Sequence, residues 1–146
     1  MERSKQVVFL EGGEVWMEKV PWSVFLDEMV TEHKYELRKV RYFFVSREKL
    51  LDINRQFLRH DYNTDVITFD YSKNNKVSTE IFISLDDVRY NADKLGLEYK
   101  QECLRVMLHG VLHVLGFNDQ EESERWQMRL EEDIWLNRIS QYGNEL

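Results

Sequence analysis

The chain has 146 residues, of which 42% are hydrophobic, and it carries one cysteine and a net charge of −7 at pH 7. These values predict one globular domain over residues 1–146 and exclude a disordered chain. No apolar run is long enough to span a membrane, and the N-terminus lacks a signal-peptide pattern. We therefore expect a cytoplasmic protein, and the acidic total charge taken alone argues against nucleic-acid binding.

The charge is unevenly distributed along the chain. The segment Thr31–His60 contains eight basic and four acidic residues, a net charge of +4, which leaves −11 for the rest. Local sign matters more than total charge for steering an anionic ligand. The segment is therefore either a site for such a ligand or an ordinary solvated surface.

Hydrophobic periodicity and turn signals predict nine elements in the order β-α-β-α-β-β-α-α-α. The predicted strands are Gln6–Leu10, Leu37–Val45, Asp65–Tyr71 and Val77–Ser84, with a hairpin turn at Lys73–Lys76. The predicted helices run from Pro21 to about His33, from the N-cap Ser46 to Leu58, from the N-cap Ser84 to Gly96, from Tyr99 to Leu115 and from Glu121 to Tyr142. Helices mixed with a small sheet place the chain in the α+β or mixed α/β class.

The last two helices differ in their apolar pattern. The fourth helix is hydrophobic nearly all round from Cys103 onward, which predicts burial on most sides. The fifth helix is amphipathic, and its inner face is expected to carry Trp126, Leu130, Ile134 and Ile139.

The end of the fourth helix predicts a metal site. His109 and His113 are four residues apart, so they lie one turn apart on the same helix face. Gly116 can take the left-handed conformation that ends a helix, which lets Asp119 return towards the imidazoles. Two imidazoles and one carboxylate with an open coordination position are typical of catalytic zinc.

Two other interpretations apply to the same stretch. The histidines can be buried residues whose hydrogen bonds are satisfied within the core. Zinc proteases of the H-E-x-x-H pattern need a glutamate after the first histidine as general base, and this chain has Gly110 there. Protease chemistry is therefore disfavoured, and Gly110 instead allows another group to approach the helix closely.

The stretch Met107–Gln120 resembles the signature H-G-x-L-H-x-x-G-x-D-H of the YbeY family, the rRNA-maturation endoribonucleases of bacteria. The last histidine of that signature falls on Asp119 and the aspartate before it on Asn118. A second family segment, L-N-x-x-Y-R-G-x-D-x-P-T-D-V-L-S-F, is similar to residues 53–69. The family's arginine in that segment, proposed to act in catalysis, falls on Leu58. Further matches are Glu80–Ser84, similar to G-D-I-x-I-S, and Glu124, Met128 and Glu132.

The resemblance implies a small mixed four-stranded sheet packed with about five or six helices, with the metal-bearing helix buried beneath the sheet. It also implies a single-strand-specific, zinc-dependent endoribonuclease that acts in 16S rRNA 3′-end maturation and ribosome quality control. The implied partners are the 16S rRNA precursor and the small ribosomal subunit. One zinc ion per chain is expected on His109, His113 and Asp119.

The general base is not identified by the sequence. Arg55 and Arg59 are candidate catalytic residues, with His60 beside them, although all three residue types are common on ordinary surfaces. Two alternatives to the nuclease remain open. One is a non-catalytic ribosome-assembly protein with a structural or vestigial zinc site, and the other is a zinc hydrolase that acts on another substrate, such as a peptide.

Overall fold

The computed structural model describes residues 7–58 and 65–142. The strands are β1 (Val8–Glu11), β2 (Glu36–Phe44), β3 (Val66–Asp70) and β4 (Lys76–Ile83). The helices are α1 (Trp22–Glu32), α2 (Arg47–Ile53), α3 (Leu85–Leu95), α4 (Tyr99–Val114) and α5 (Glu122–Ile139), with a short 3-10 helix at Val15–Lys19 and a π-helical turn at Asn54–Leu58. Within these ranges no helix has both the length and the apolar character needed to cross a membrane.

The four strands form one mixed sheet in the order β1-β2-β4-β3. Strand β2 runs parallel to both β1 and β4, whereas β3 and β4 form an antiparallel hairpin. The hairpin turns at Asn74 and Asn75, whose φ angles are 54° and 59°. Asparagine tolerates this left-handed conformation, and two such residues give a turn that matches the twist of the strands. The expected α+β class with a mixed four-stranded sheet is confirmed.

Serine residues begin two of the helices around the sheet, as their chemistry predicts. The Ser46 hydroxyl accepts a hydrogen bond of 3.1 Å from the Lys49 amide, and the Ser84 hydroxyl accepts one of 3.3 Å from the Asp87 amide. Both serines therefore satisfy a backbone donor that the first helical turn leaves free.

Helix α4 lies between α3 and α5 and packs against one face of the sheet. Most of its side chains are buried, as expected. At Gly110 a Cβ atom would lie 2.9 Å from Ile81 Cδ1 and 3.1 Å from Thr68 Oγ1, so glycine allows the helix to touch β3 and β4. The Tyr42 hydroxyl donates a hydrogen bond of 3.0 Å to the Met107 carbonyl and links β2 to the same helix. The group that approaches the helix closely at Gly110 is the sheet.

The prediction of which α5 residues face the core is wrong for three of the four residues. Trp126, Leu130 and Ile134 are exposed, and of the predicted set Ile139 alone is buried. The buried side chains of α5 are Met128, Glu132, Trp135, Leu136 and Ile139. Two stripes on this helix have helical spacing, and the one that is buried contains a glutamate. A charged residue is almost never fully buried unless it is paired, so sequence alone favours the stripe without a charge as the inner face.

Candidate metal centre and its cavities

A turn after α4 returns the chain to the two histidines. Gly116 has a φ of 105°, a value that side-chain-bearing residues rarely adopt. The Phe117 amide donates to the Leu112 carbonyl at 3.0 Å, and the Gly116 amide donates to the His113 carbonyl at 3.0 Å. These bonds satisfy carbonyl groups left free at the end of the helix. The reversal brings Asp119 back over the last turn of α4.

His109, His113 and Asp119, here called the triad, point their ligand atoms at one place. The two Nε2 atoms are 2.9 Å apart, and Asp119 Oδ2 lies 3.3 Å from each of them. In a tetrahedral site with metal bonds of about 2.0–2.2 Å, neighbouring ligand atoms are separated by about 3.3–3.5 Å. Both Asp119 separations lie in that range and the Nε2 separation is somewhat shorter, so the three groups could hold a metal ion.

Glu132 of α5 fixes the orientation of His109 from behind. Its carboxylate accepts a hydrogen bond of 2.6 Å from His109 Nδ1, which leaves Nε2 facing the centre of the triad. Arg105 donates to Glu132 at 2.7 Å and to Asp133 at 2.6 Å. Glu132 is only 4% exposed, and these partners offset the cost of burying its charge. Such a carboxylate behind a ligating histidine is a common support of metal centres.

The two imidazoles titrate differently. Burial works to lower the pKa of His109, but the hydrogen bond to Glu132 and the charges of Glu132 and Asp119 raise it above its ordinary value. Burial and the positive charge of His109 lower the pKa of His113. One imidazole is thus favoured as the cation and the other as the neutral ring, which is compatible with a proton shared between their Nε2 atoms.

Two cavities meet at the triad. The first, here called the inner cavity, has a volume of about 330 Å³ and is lined by Asp65, Val66, Glu102, Arg105, Val106, His109, Asp119, Arg125, Met128, Arg129 and Glu132. The second, here called the groove, has a volume of about 620 Å³ and is lined by Asn54, Leu58, Asp65, Val66, Ile67, Thr68, Asp70, His109, His113, Val114, Asp119 and Gln120. Asp65 lines both cavities, and burial raises the pKa of its carboxyl. His109 and Asp119 are therefore bordered by both cavities, whereas His113 is bordered by the groove.

The other predicted residues lie in different places. Leu58, at the position of the family's arginine, lines the groove beside the triad. Arg55 is exposed in the π-helical turn and lines neither cavity. Arg59 and His60 lie outside the described residues. Within residues 31–58 of the basic segment, no lysine or arginine lines either cavity.

Three residues around the site had no role assigned from the sequence. Glu132 and Arg105 support His109, and Glu124 accepts hydrogen bonds from the Gln120 and Glu121 amides at 3.2 and 3.0 Å. Glu124 also belongs to a capping box with Glu121, so it holds the loop that carries Asp119 against the start of α5. The signal in the sequence is the helical spacing of Glu132 with the apolar residues Met128, Trp135 and Ile139.

The chain is similar to a family of known proteins. The family model described as Endoribonuclease YbeY matches residues 13–140. The Endoribonuclease YbeY of Phocaeicola vulgatus is 41% identical over 80% of this chain and 84% of its own length. That of Parabacteroides distasonis is 51% identical, and the alignment covers 59% of this chain and 61% of the relative.

A solved structure has the same fold. The solution structure of a Thermotoga maritima protein superposes with a TM-score of 0.67, covering 92% of this chain and 89% of that protein at 24% sequence identity. The fold and the triad together define a class of small α+β proteins with a potential metal centre at the end of a buried helix. Within that class, the chain belongs to the endoribonuclease YbeY family.

Proposed function

We propose that this protein, as one domain over residues 1–146, is a metal-dependent endoribonuclease specific for single-stranded RNA. The observation that carries the proposal is the convergence of His109, His113 and Asp119 in a chain of the endoribonuclease YbeY family. The proposed process is 16S rRNA 3′-end maturation and ribosome quality control. The corresponding partners are the 16S rRNA precursor and the small ribosomal subunit, in the cytoplasm where ribosomes are assembled.

The metal that suits the donor set is zinc, with one ion per chain, because two imidazole nitrogens and a carboxylate oxygen are its usual ligands. Bound zinc supplies a Lewis acid for a phosphoryl oxygen and lowers the pKa of a coordinated water. Glu132 keeps His109 Nε2 directed at the site, and Gly116 places Asp119. Asp65 borders both cavities, so its carboxylate is the group we assign as proton acceptor during attack on the phosphodiester.

The test is cleavage of a single-stranded RNA at matched metal concentration. His113→Ala should lose cleavage because one of three ligands is removed. The matched control is His33→Ala, which removes a histidine that lines neither cavity. Equal cleavage by the wild type and His113→Ala would identify a contaminating nuclease and contradict the proposal.

A non-catalytic ribosome-assembly protein is the second candidate. It is favoured by Leu58, which puts an apolar side chain in the groove at the position of the family's arginine. This candidate predicts binding to the small subunit that survives His109→Ala, together with no RNA cleavage by the wild type. Sequencing rRNA ends in cells depleted of the protein separates both candidates from a zinc hydrolase of other substrates, since only the first two predict accumulation of 3′-extended 16S precursor.

A further inference from the structure

Helix α5 presents two arginines to the inner cavity. Arg125 and Arg129 are one helical turn apart, are exposed, and line the cavity together with His109 and Asp119. Arg125 donates a hydrogen bond of 2.7 Å to the Gln120 carbonyl, which holds its side chain towards the loop that carries Asp119. Across residues 7–58 and 65–142, neither arginine forms an ion pair with a carboxylate. Arg129 acts to lower the pKa of the nearby Glu102 carboxyl, and both arginine side chains are exposed to a ligand.

The third arginine of the inner cavity is already engaged. Arg105 is held by the carboxylates of Glu132 and Asp133, so its charge is balanced inside the protein. Two of the four carboxylates among the described lining residues pair with the same guanidinium, Glu132 at 2.7 Å and Glu102 at 3.9 Å. The positive charge that an anion meets at this entrance is that of α5.

The groove on the other side of the triad has a different lining. Its described lining residues include no lysine or arginine, and Leu58 occupies the place where the family has one. Of the lysines and arginines within residues 7–58 and 65–142, those that line a cavity at the triad are Arg105, Arg125 and Arg129.

An exposed tryptophan adjoins the arginine pair. Trp126 is 62% exposed, and it shares a surface depression with Arg125 and Arg129. Bases of a single strand stack on such aromatic rings, and this contact tolerates any base sequence. Arginine and tryptophan side by side thus offer one contact for the phosphate backbone and one for a base.

We propose that Arg125, Arg129 and Trp126 form a subsite for single-stranded RNA at the mouth of the inner cavity. The two arginines bind neighbouring phosphates, and Trp126 stacks an unpaired base, so that the strand crosses α5 on its way to the triad. This inference rests on the proposed function, because it assumes that the substrate is RNA.

A protein ligand on the same helix is the competing occupant. Trp126 begins an exposed apolar stripe with Leu130 and Ile134. Of these three residues, Trp126 alone shares the depression with the arginines, and the depression also contains one carboxylate, that of Glu122. The position of the arginine pair at the triad favours a polyanion over an apolar partner.

The experiment measures binding of the full-length, metal-loaded protein to a fluorescent single-stranded RNA with 2′-O-methyl groups, by anisotropy at several salt concentrations. A denaturing gel run afterwards checks that the strand is intact. The double variant Arg125→Ala/Arg129→Ala should bind roughly tenfold more weakly, and the slope of log K against log salt should fall by about 1.4. Its control is Lys19→Ala/Lys94→Ala, which removes the same charge from exposed positions outside both cavities and outside the basic segment.

The tryptophan is tested separately. Trp126→Ala should weaken binding roughly 5- to 150-fold without changing the salt slope, because stacking releases no counterions. Tyr90→Ala removes a similarly exposed aromatic ring from α3 and should leave binding unchanged. Sedimentation of the same variants shows whether Trp126 instead mediates self-association.

The outcomes separate this inference from the proposed function. If the wild type binds and cleaves RNA but the α5 variants behave like their controls, the subsite is overturned and the nuclease stands. If RNA binding depends on α5 but the wild type never cleaves, the subsite stands and the nuclease fails. Loss of self-association in Trp126→Ala with unchanged RNA affinity would assign the tryptophan to a protein contact and overturn the subsite.

Discussion

At the scale of single residues, the buried carboxylate of Glu132 orients a residue of the triad without belonging to the triad itself. It accepts from His109 Nδ1 and from Arg105, so one side chain sets the tautomer of a ligand and neutralises a buried guanidinium. Carboxylates in this position are worth about 10- to 100-fold in metal affinity.

The first prediction is that Glu132→Ala weakens zinc binding by about 10- to 100-fold, whereas Glu132→Gln has a smaller effect. The glutamine amide oxygen can still accept from Nδ1–H, but it cannot balance Arg105. Competition with a chromophoric chelator measures the affinity, and circular dichroism checks that each variant is folded.

Asp133→Asn is the matched control for this prediction. Asp133 also pairs with Arg105, but it is more exposed and makes no described contact with His109. Zinc affinity of Asp133→Asn equal to that of Glu132→Ala would assign the effect to Arg105 and contradict the orienting role of Glu132.

At the same scale, spacing was sufficient to predict that two histidines and Asp119 come together, because a helical turn and a glycine-dependent reversal are local features. Partners from distant elements were not predictable in this way. Arg105 and Glu132 are 27 positions apart, and nothing in the local pattern of either helix indicates that they meet. The position of Arg125 and Arg129 at the inner cavity likewise depends on the packing of α5 against α4.

At the scale of elements, Gly110 is explained by the contact between α4 and the sheet. Glycine in a helix interior costs about 1 kcal/mol relative to alanine. The close approach of Ile81 and Thr68 makes any side chain at this position costlier still. Close packing against the sheet therefore explains why this helical position holds glycine and not alanine, which has the higher helix propensity.

The second prediction is that Gly110→Ala lowers the free energy of unfolding by up to about 2 kcal/mol, because overpacking costs about 1–3 kcal/mol and the gain in helix propensity offsets about 1 kcal/mol of it. The midpoint of urea unfolding measures the change. Ile81→Val removes Cδ1, the atom 2.9 Å from the position that the new methyl group would take, so Gly110→Ala should cost less in that background. A coupling of at least about 0.5 kcal/mol is expected. A Gly110→Ala protein as stable as the wild type would mean that the helix shifts without cost.

At the scale of the whole molecule, the order and types of the elements were predictable, whereas their arrangement was not. Alternating apolar residues locate β3 and β4, and their short connection makes them a hairpin. The sheet order β1-β2-β4-β3 places β4 between β2 and β3, and this depends on long-range pairing that periodicity does not encode. That order matters for the site, because β3 and β4 are the strands that contact α4 at Gly110.

The third prediction concerns the whole folded chain. The triad joins the end of α4 to the loop after Gly116, and no such preformed site exists in the unfolded chain, so a bound metal stabilises the folded state. At zinc concentrations about 100-fold above Kd the stabilisation is about 2.7 kcal/mol. For a chain of this length that corresponds to a rise in Tm of roughly 5–11 °C, measured by scanning calorimetry with and without zinc.

Magnesium at the same concentration should produce no shift, because it prefers oxygen ligands. His109→Ala/His113→Ala should likewise show none, and a full zinc-dependent rise in that variant would place the metal away from the triad.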